Sequence, residues 1–309
     1  AQFHDTMLLE LFDVARRMKV MVAAKGKSDV LRGKVLANVF YEPSTRTMCS
    51  FDAAMKRLGG DVLSVSESSS SAKKGETIED TVRCLQCYCD VLVLRHPQVG
   101  TAAKAAAAAQ KPVLNAGDGV GEHPTQALLD LFTIIDTRAA GAGDLLDLRG
   151  MTLTMLGDLK HGRTVHSLAL LAGRLAKPPR LALVSPPSLA MPTEVTASLT
   201  TAGVELMQAD SLDGVLPQTD VLYVTRVQRE RFASAAEAEA VRGAYVVDAK
   251  LMKGAKPDAV VLHPLPRVDE IATDVDADPR ARYFDQMENG MYVRMALLAL
   301  VLGADLSRL

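Results

Sequence analysis

The sequence predicts an α/β protein of two domains, each an open parallel sheet flanked by helices, and three observations predict it. From Lys34 onward, apolar runs of strand length alternate with amphipathic stretches of helix length, the pattern of repeated βαβ units on a parallel sheet. The chain has 309 residues, too many for one ordinary core and suited to two domains of roughly 150 residues with a cleft between them. A Gly/Ala-rich interruption from Ala139 to Gly143 separates a first strand–helix series from a second.

Val35 to Tyr41 reads as the first strand. Thr47 to Leu58 follows as a helix, with Met48, Phe51, Met55 and Leu58 at helical spacing and Gly59-Gly60 as its stop. Val62 to Val65, Val91 to Leu94 and the short Val113 to Leu114 are strands. Ser68 to Ser71 reads as a loop, and Ala102 to Ala109 as a helix, because alanine has the best helix propensity. In the second half, Met151 to Leu156, Leu181 to Val184, Val221 to Val224 and Val260 to Leu262 are strands, and Arg163 to Leu175 is a helix. The long apolar helix Met291 to Leu302 is expected to pack back on the first domain and link the two.

Hydrophobic residues make up 48% and charged residues 23%, which fits a folded globular chain. A formal net charge of -2 gives no basic footprint for nucleic acid or an anionic membrane, so any arginine that matters acts locally. No apolar run approaches the ~20 residues that span a bilayer, and the N-terminus lacks a charged segment followed by an apolar one. Three asparagines occur and none begins an N-x-Ser/Thr acceptor, so a cytoplasmic location is expected. Position 1 is Ala, which fits a domain of a longer polypeptide. Cys84, Cys87 and Cys89 form C-x-x-C-x-C, but no second ligand pair follows at zinc spacing. The segment Thr77 to Tyr88 reads as a helix with Ile78, Val82 and Leu85 inward. The thiols are expected among these core positions, reduced and buried, with no metal.

Ser44-Thr45-Arg46-Thr47 lies where a strand hands over to a helix. Free backbone N–H groups, the helix dipole, hydroxyls and a guanidinium there favour an anion, with phosphate the natural guest; ordinary N-capping is the plainer alternative. Arg95-His96-Pro97-Gln98 follows a strand directly. His123-Pro124-Thr125-Gln126 follows the glycine-rich turn Asn115 to Gly121. Ligands of open parallel sheets bind outside the carboxyl ends of strands, so the three motifs are expected to converge on one crevice.

Together with Gly157-Asp158-Leu159-Lys160-His161-Gly162-Arg163-Thr164, Thr225-Arg226-Val227-Gln228 and His263-Pro264-Leu265-Pro266-Arg267, these motifs resemble the aspartate and ornithine transcarbamoylases. The resemblance runs from about Phe3 to the C-terminus. The second-half motifs resemble the aspartate branch, most of all the portion found in the eukaryotic multifunctional pyrimidine protein. An ornithine enzyme would carry an Asp plus a Ser-Met-Gly acceptor segment and a Cys before Leu-Pro, where this chain has Pro264.

The resemblance implies transfer of a carbamoyl group from carbamoyl phosphate to L-aspartate without a cofactor, metal or covalent intermediate. It implies a carbamoyl phosphate-binding domain at 1–137 with 289–309 and an aspartate-binding domain at 138–288. By the same resemblance Ser44, Thr45, Arg46 and Thr47 cradle the phosphate, with Ser70 beside them. Thr45, Arg95 and His123 polarise the carbamoyl oxygen, and Gln126 with the carbonyls of Leu265 and Pro266 holds the carbamoyl NH2. Arg163, Arg226 and Gln228 grip aspartate, joined by Lys74 and Leu265; Arg267 supports the same cleft. Ser70 and Lys74 resemble loop residues that reach a neighbouring subunit's site, which implies a homotrimer with shared sites. Carbamoyl phosphate synthetase and dihydroorotase domains of the same polypeptide are the implied partners.

A dinucleotide-binding dehydrogenase is the rival of the same fold, but the glycines from Gly117 to Gly121 have the wrong spacing for G-x-G-x-x-G. A non-catalytic scaffold is the rival of a different class. It has no sequence support, because the motif positions carry the residues the resemblance expects.

Overall fold

The computed structural model describes residues 3–67, 75–119, 121–138, 144–228 and 245–309. The chain divides into two compact units, one formed by Thr6–Thr125 with Glu288–Leu309 and the other by Ala1–Asp5 with Gln126–Met287. The expected Ser68–Ser71 loop, Ser70, Lys74, Val120 and the Ala139–Gly143 interruption lie outside the described residues.

The first unit is built on β1 (Val35–Phe40), β2 (Asp61–Ser66), β3 (Val91–His96) and β4 (Val113–Asp118), all parallel, in the order β2-β1-β3-β4. β1 and β3 are apolar almost throughout, as strands covered on both faces must be. Its helices are α1 (Asp5–Lys25), α2 (Thr45–Arg57), α3 (Ile78–Leu85) and α4 (Thr101–Ala108). α1 precedes the region in which the sequence pattern is clear, yet Leu8, Leu11, Phe12, Ala15 and Met18 recur at helical spacing and are buried. Ala37, Val39, Leu92 and Leu94 form one core cluster with Val82 of α3 and Ala105 of α4.

The second unit holds β5 (Thr152–Leu156), β6 (Arg180–Val184), β7 (Leu206–Ala209), β8 (Val221–Val224) and β9 (Val260–Leu262), parallel and ordered β7-β6-β5-β8-β9. α5 (Pro124–Arg138) begins at the division between the units, and α6 (Arg163–Ala172) and α7 (Thr193–Thr201) follow. The last helix, α8 (Tyr283–Val301), gives its first turn to this unit and the remainder to the other. Arg294 of α8 lies 5.1 Å over the Phe51 ring of α2, both within the first unit. No helix among the described residues is long and apolar enough to cross a membrane.

Two expectations need correction. Cys84 and Cys87 are exposed and only Cys89 of that motif is buried, because α3 stops at Leu85 and position 84 lies about 200° around the helix from buried Val82. The glycine-rich turn is half strand: β4 continues through Asp118, and a shift in the β3–β4 register between Leu94 and His96 absorbs the irregular backbone.

Candidate active site

Each sheet reverses its winding once. In the first unit the chain moves outward from β1 to β2 and then returns to place β3 on the other side of β1, so the switch point lies between β1 and β3. The residues leaving β1 are Tyr41 to Arg46, and Arg95 is paired with Phe40 across the switch. The Tyr41 N–H donates to the Arg95 carbonyl at 2.9 Å, which fixes the two loop starts side by side.

Ser44 occupies the N-cap of α2 in an extended conformation, but its hydroxyl does not cap the helix. The N-capping explanation of this motif therefore fails, and the first turn holds no acidic residue to occupy the positive end of the helix. Thr45 and Arg46 are exposed while Thr47 is buried, so the loop presents one hydroxyl and one guanidinium outward.

Arg95 is held from three sides. Nη2 is 3.1 Å from Oε1 of Glu42, Nη1 donates to the Ala116 carbonyl at 3.2 Å, and Nη1 lies 3.4 Å from Nε2 of His123. A guanidinium can only donate, so Nε2 of His123 is the acceptor in that contact. Gly117 makes this possible: its φ is +134°, and a Cβ there would sit 3.0 Å from Nη1 of Arg95. His96, by contrast, ends β3 and braces the turn that follows. Its Nδ1 accepts the Gln98 N–H at 3.0 Å, and burial lowers its pKa.

In the second unit the switch point lies between β5 and β8, and both acceptor motifs leave the sheet there. Asp158, fully buried, organises them. Its Oδ1 accepts the His161 N–H at 2.9 Å and its Oδ2 accepts the Gln228 N–H at 3.1 Å, which ties the loop before α6 to the loop after β8. Gln228 then donates Nε2 to the His161 carbonyl at 2.8 Å. Arg163 opens α6, and Arg163 and Arg226 are both half-buried. Gly157 allows the approach, since its φ is +115° and a Cβ would lie 2.3 Å from the Thr225 carbonyl oxygen. A crevice on the same edge is lined by Gly157, Pro186, Thr225, Val227, Tyr245 and Glu270, among others.

The loop after β9 is set by His263. Nδ1 accepts the Leu265 N–H at 2.8 Å, and Nε2 donates to Oε1 of Glu270 at 2.6 Å. Burial keeps the imidazole neutral, lowering its pKa despite the neighbouring carboxylate. Burial alone would raise Glu270, but His263 and backbone N–H groups outweigh it and hold the carboxylate ionised. Leu265 takes φ +51°, an uncommon value for a branched side chain, and is followed by a cis peptide to Pro266. Arg267 does not point at an open site: it forms a two-point ion pair with Asp276, with Nη2 to Oδ2 at 2.6 Å, and donates to the Tyr283 hydroxyl at 3.1 Å.

Within the first unit, then, Ser44 to Thr47, Arg95 and His123 gather at one sheet edge. Arg163, Arg226, Gln228, Leu265 and Pro266 gather at the corresponding edge of the second, where Gln126 opens the chain segment. The sequence motifs did not single out Glu42, Asp130 or Glu270. Glu42 stands two residues before Ser44, and Asp130 follows Gln126 by one helical turn among the apolar residues of α5.

Two family models match the chain: the carbamoyl-P binding domain of aspartate/ornithine carbamoyltransferase over residues 1–136, and its Asp/Orn binding domain over 149–301. The chain belongs to the aspartate/ornithine carbamoyltransferase family. It is 53% identical over 304 residues to multifunctional protein pyr1-3 of Dictyostelium discoideum, covering 98% of this chain and 13% of that one. It is 49% identical over 298 residues to the aspartate carbamoyltransferase catalytic subunit of Methanopyrus kandleri, covering 96% of this chain and 93% of the relative. The structure of Trypanosoma cruzi aspartate transcarbamoylase in complex with carbamoyl phosphate matches with a TM-score of 0.88 and 44% identity, over 96% of this chain and 92% of that one.

Proposed function

We propose that the chain is an aspartate carbamoyltransferase that converts carbamoyl phosphate and L-aspartate to N-carbamoyl-L-aspartate and phosphate, an early step of pyrimidine biosynthesis. The observation that carries this is the buried pairing of Arg95 with His123 at 3.4 Å, on the carboxyl edge that also presents the uncapped α2 terminus. An anion at α2 has its reactive carbonyl beside two fixed side chains that can stabilise growing negative charge.

Ser44, Thr45, Arg46 and Thr47 hold the phosphate, with Ser70 contributing from its loop. The neutral amine of aspartate attacks the carbamoyl carbon, and negative charge grows on the carbonyl oxygen. Arg95, His123 and Thr45 stabilise that charge more than they stabilise the bound substrate. As the carbon–oxygen bond to phosphate breaks, the departing phosphate takes the proton released by the amine. Phosphate is a good enough leaving group that positioning and electrostatics suffice, without a metal, a nucleotide or a covalent intermediate.

Gln126 and the carbonyls of Leu265 and Pro266 hold the carbamoyl NH2. Arg163 and Arg226 grip the two carboxylates of aspartate, since each planar guanidinium suits paired bonds to a carboxylate. Gln228, its Nε2 engaged by the His161 carbonyl, turns Oε1 toward the amine, a donor. Lys74 and Leu265 complete the acceptor set. The carbamoyl phosphate-binding domain is 1–137 with 289–309, and the aspartate-binding domain is 138–288.

Ser70 and Lys74 act on a neighbouring subunit's substrates, so the working unit is a cytoplasmic homotrimer. The chain is one part of a longer polypeptide with carbamoyl phosphate synthetase and dihydroorotase domains; that the Dictyostelium relative is a multifunctional protein of which the chain spans 13% supports the fusion, though not the identity of its domains. The test is phosphate release from carbamoyl phosphate with and without aspartate. Release matched one to one by carbamoyl aspartate supports the assignment, whereas release that ignores aspartate overturns it.

A further inference from the structure

Asp130 is fully buried in α5 and accepts hydrogen bonds from three side chains. Oδ1 takes Nε2 of Gln126 at 2.8 Å and Nε2 of Gln286 at 2.6 Å, and Oδ2 takes the Tyr223 hydroxyl at 2.7 Å. All four residues belong to the second unit. A carboxylate has no proton to give, so each amide must turn its NH2 toward Asp130. Burial and the negative charge of Asp130 push the Tyr223 pKa well up, so the phenol stays a donor as well.

For Gln126 this settles which end of the amide meets a ligand. With Nε2 on Asp130, the outward end is Oε1, an acceptor. For Gln286, Oε1 accepts the His263 N–H at 2.9 Å, and His263 in turn holds the Leu265 N–H at 2.8 Å. One carboxylate thus orients the Gln126 amide directly and reaches, through Gln286 and His263, the loop whose Leu265 and Pro266 carbonyls also accept.

We infer that Asp130 is a positioning residue that fixes Gln126 as an acceptor and so makes the site select an acyl phosphate bearing NH2 over one bearing methyl. The inference rests on the proposed role of Gln126 at the carbamoyl amino group. A carbamoyl NH2 can only donate here, and its donors meet an acceptor. Acetyl phosphate, with methyl in that place, leaves Oε1 of Gln126 unsatisfied. Without the carboxylate, the Gln126 amide is free to turn and set NH2 against NH2.

The test compares kcat/KM for carbamoyl phosphate with the inhibition constant of acetyl phosphate, using the full chain. Asp130→Leu, Gln126→Ala, the double variant and Tyr223→Phe are measured beside the parent. Asp130→Leu, which removes both acceptor oxygens at similar volume, and Gln126→Ala should each lower the selectivity about 10-fold or more, the effect of one buried acceptor wrongly paired. The double variant should fall no further than Gln126→Ala. Tyr223→Phe should lower the melting temperature and leave selectivity within about twofold, because the bond between Oδ1 and Gln126 remains.

Selectivity lost in Gln126→Ala but kept in a folded Asp130→Leu overturns the role of Asp130 and leaves Gln126 in place. Selectivity kept in Gln126→Ala overturns the role of Gln126, and the inference with it. Should Asp130→Leu not fold, Gln126→Glu combined with Asp130→Asn decides: the single carboxylate accepts from the amide at position 130 and presents an oxygen outward whichever way it turns, so selectivity should be kept. A folded double variant of this kind that loses selectivity overturns the inference.

Discussion

Nη1 of Arg95 lies 3.4 Å from Nε2 of His123, with both side chains buried at the carboxyl edge of one sheet. Neither group titrates a substrate in the proposed chemistry; each is a fixed pole for the carbamoyl oxygen. His123→Ala should therefore cut turnover on the order of 100-fold, as should Arg46→Ala at the phosphate cradle. Steady-state kinetics check this, and near-normal kcat in either variant would contradict the assigned roles.

Asp158 accepts N–H groups from both His161 and Gln228. Asp158→Asn replaces one acceptor oxygen by a donor facing one of those N–H groups, at a cost of about 1–3 kcal/mol. The loops of the second unit should loosen while the first unit is untouched. The KM for aspartate should rise roughly 10-fold or more, with the dissociation constant of carbamoyl phosphate changing little. Equal loss for both ligands in equilibrium binding would place Asp158 in general stability instead.

Acid should destabilise the protein before its carboxylates titrate. His263, His166 and His96 all have pKa values lowered, burial being the largest cause in each case. An unfolded histidine titrates near 6.5. Their contribution is therefore complete above about pH 6.5 and is lost as pH falls through the lower folded values. Glu270, lowered below its ordinary value, adds a further loss at more acid pH. Melting temperature measured from pH 7.5 down to about 5 should fall in the parent and fall less steeply in His263→Gln, which carries no titrating ring. Parallel curves would remove His263 from this account.

The proposed shared sites predict complementation. Lys74→Ala and Arg46→Ala subunits should each be strongly impaired alone, and mixing them should rebuild some sites from one intact Arg46 and one intact Lys74. Activity after dissociation and remixing should exceed that of either parent many-fold. Mixed trimers, verified by mass, that stay as inactive as the variants would place Lys74 in its own subunit's site.

Much of this molecule is legible in its residues. Val221–Val224 and Val260–Leu262 are strands at the positions their apolar runs predict, because a buried parallel strand writes itself as a continuous run. The switch-point motifs stand out because each pairs a strand end with polar groups that have no core role. α1 was harder: its apolar face is interleaved with Arg16, Arg17 and Lys19, and among the described residues no strand precedes it to set the alternation. The exposed Cys84 misled because three closely spaced thiols suggest a shared environment, whereas the helix turns one of them away and ends before Cys87.

The positioning residues were the least visible. Asp130 sits in Ala127-Leu128-Leu129-Asp130-Leu131-Phe132, where only its spacing from Gln126 marks it, and its contacts with Tyr223 and Gln286 join segments far apart in the chain. Glu42 declares itself only once the β1–β3 register sets it beside Arg95. Such residues act through tertiary neighbours that no local pattern encodes.

The most direct test of the central claim offers carbamoyl phosphate with aspartate and ornithine together, at equal concentration, and weighs the products by mass spectrometry. Carbamoyl aspartate in large excess is the predicted result, since ornithine has one carboxylate to the two of aspartate and would set a cationic side chain against one of Arg163 and Arg226. Carbamoyl ornithine in comparable amount would contradict the acceptor site built from Arg163, Arg226 and Gln228.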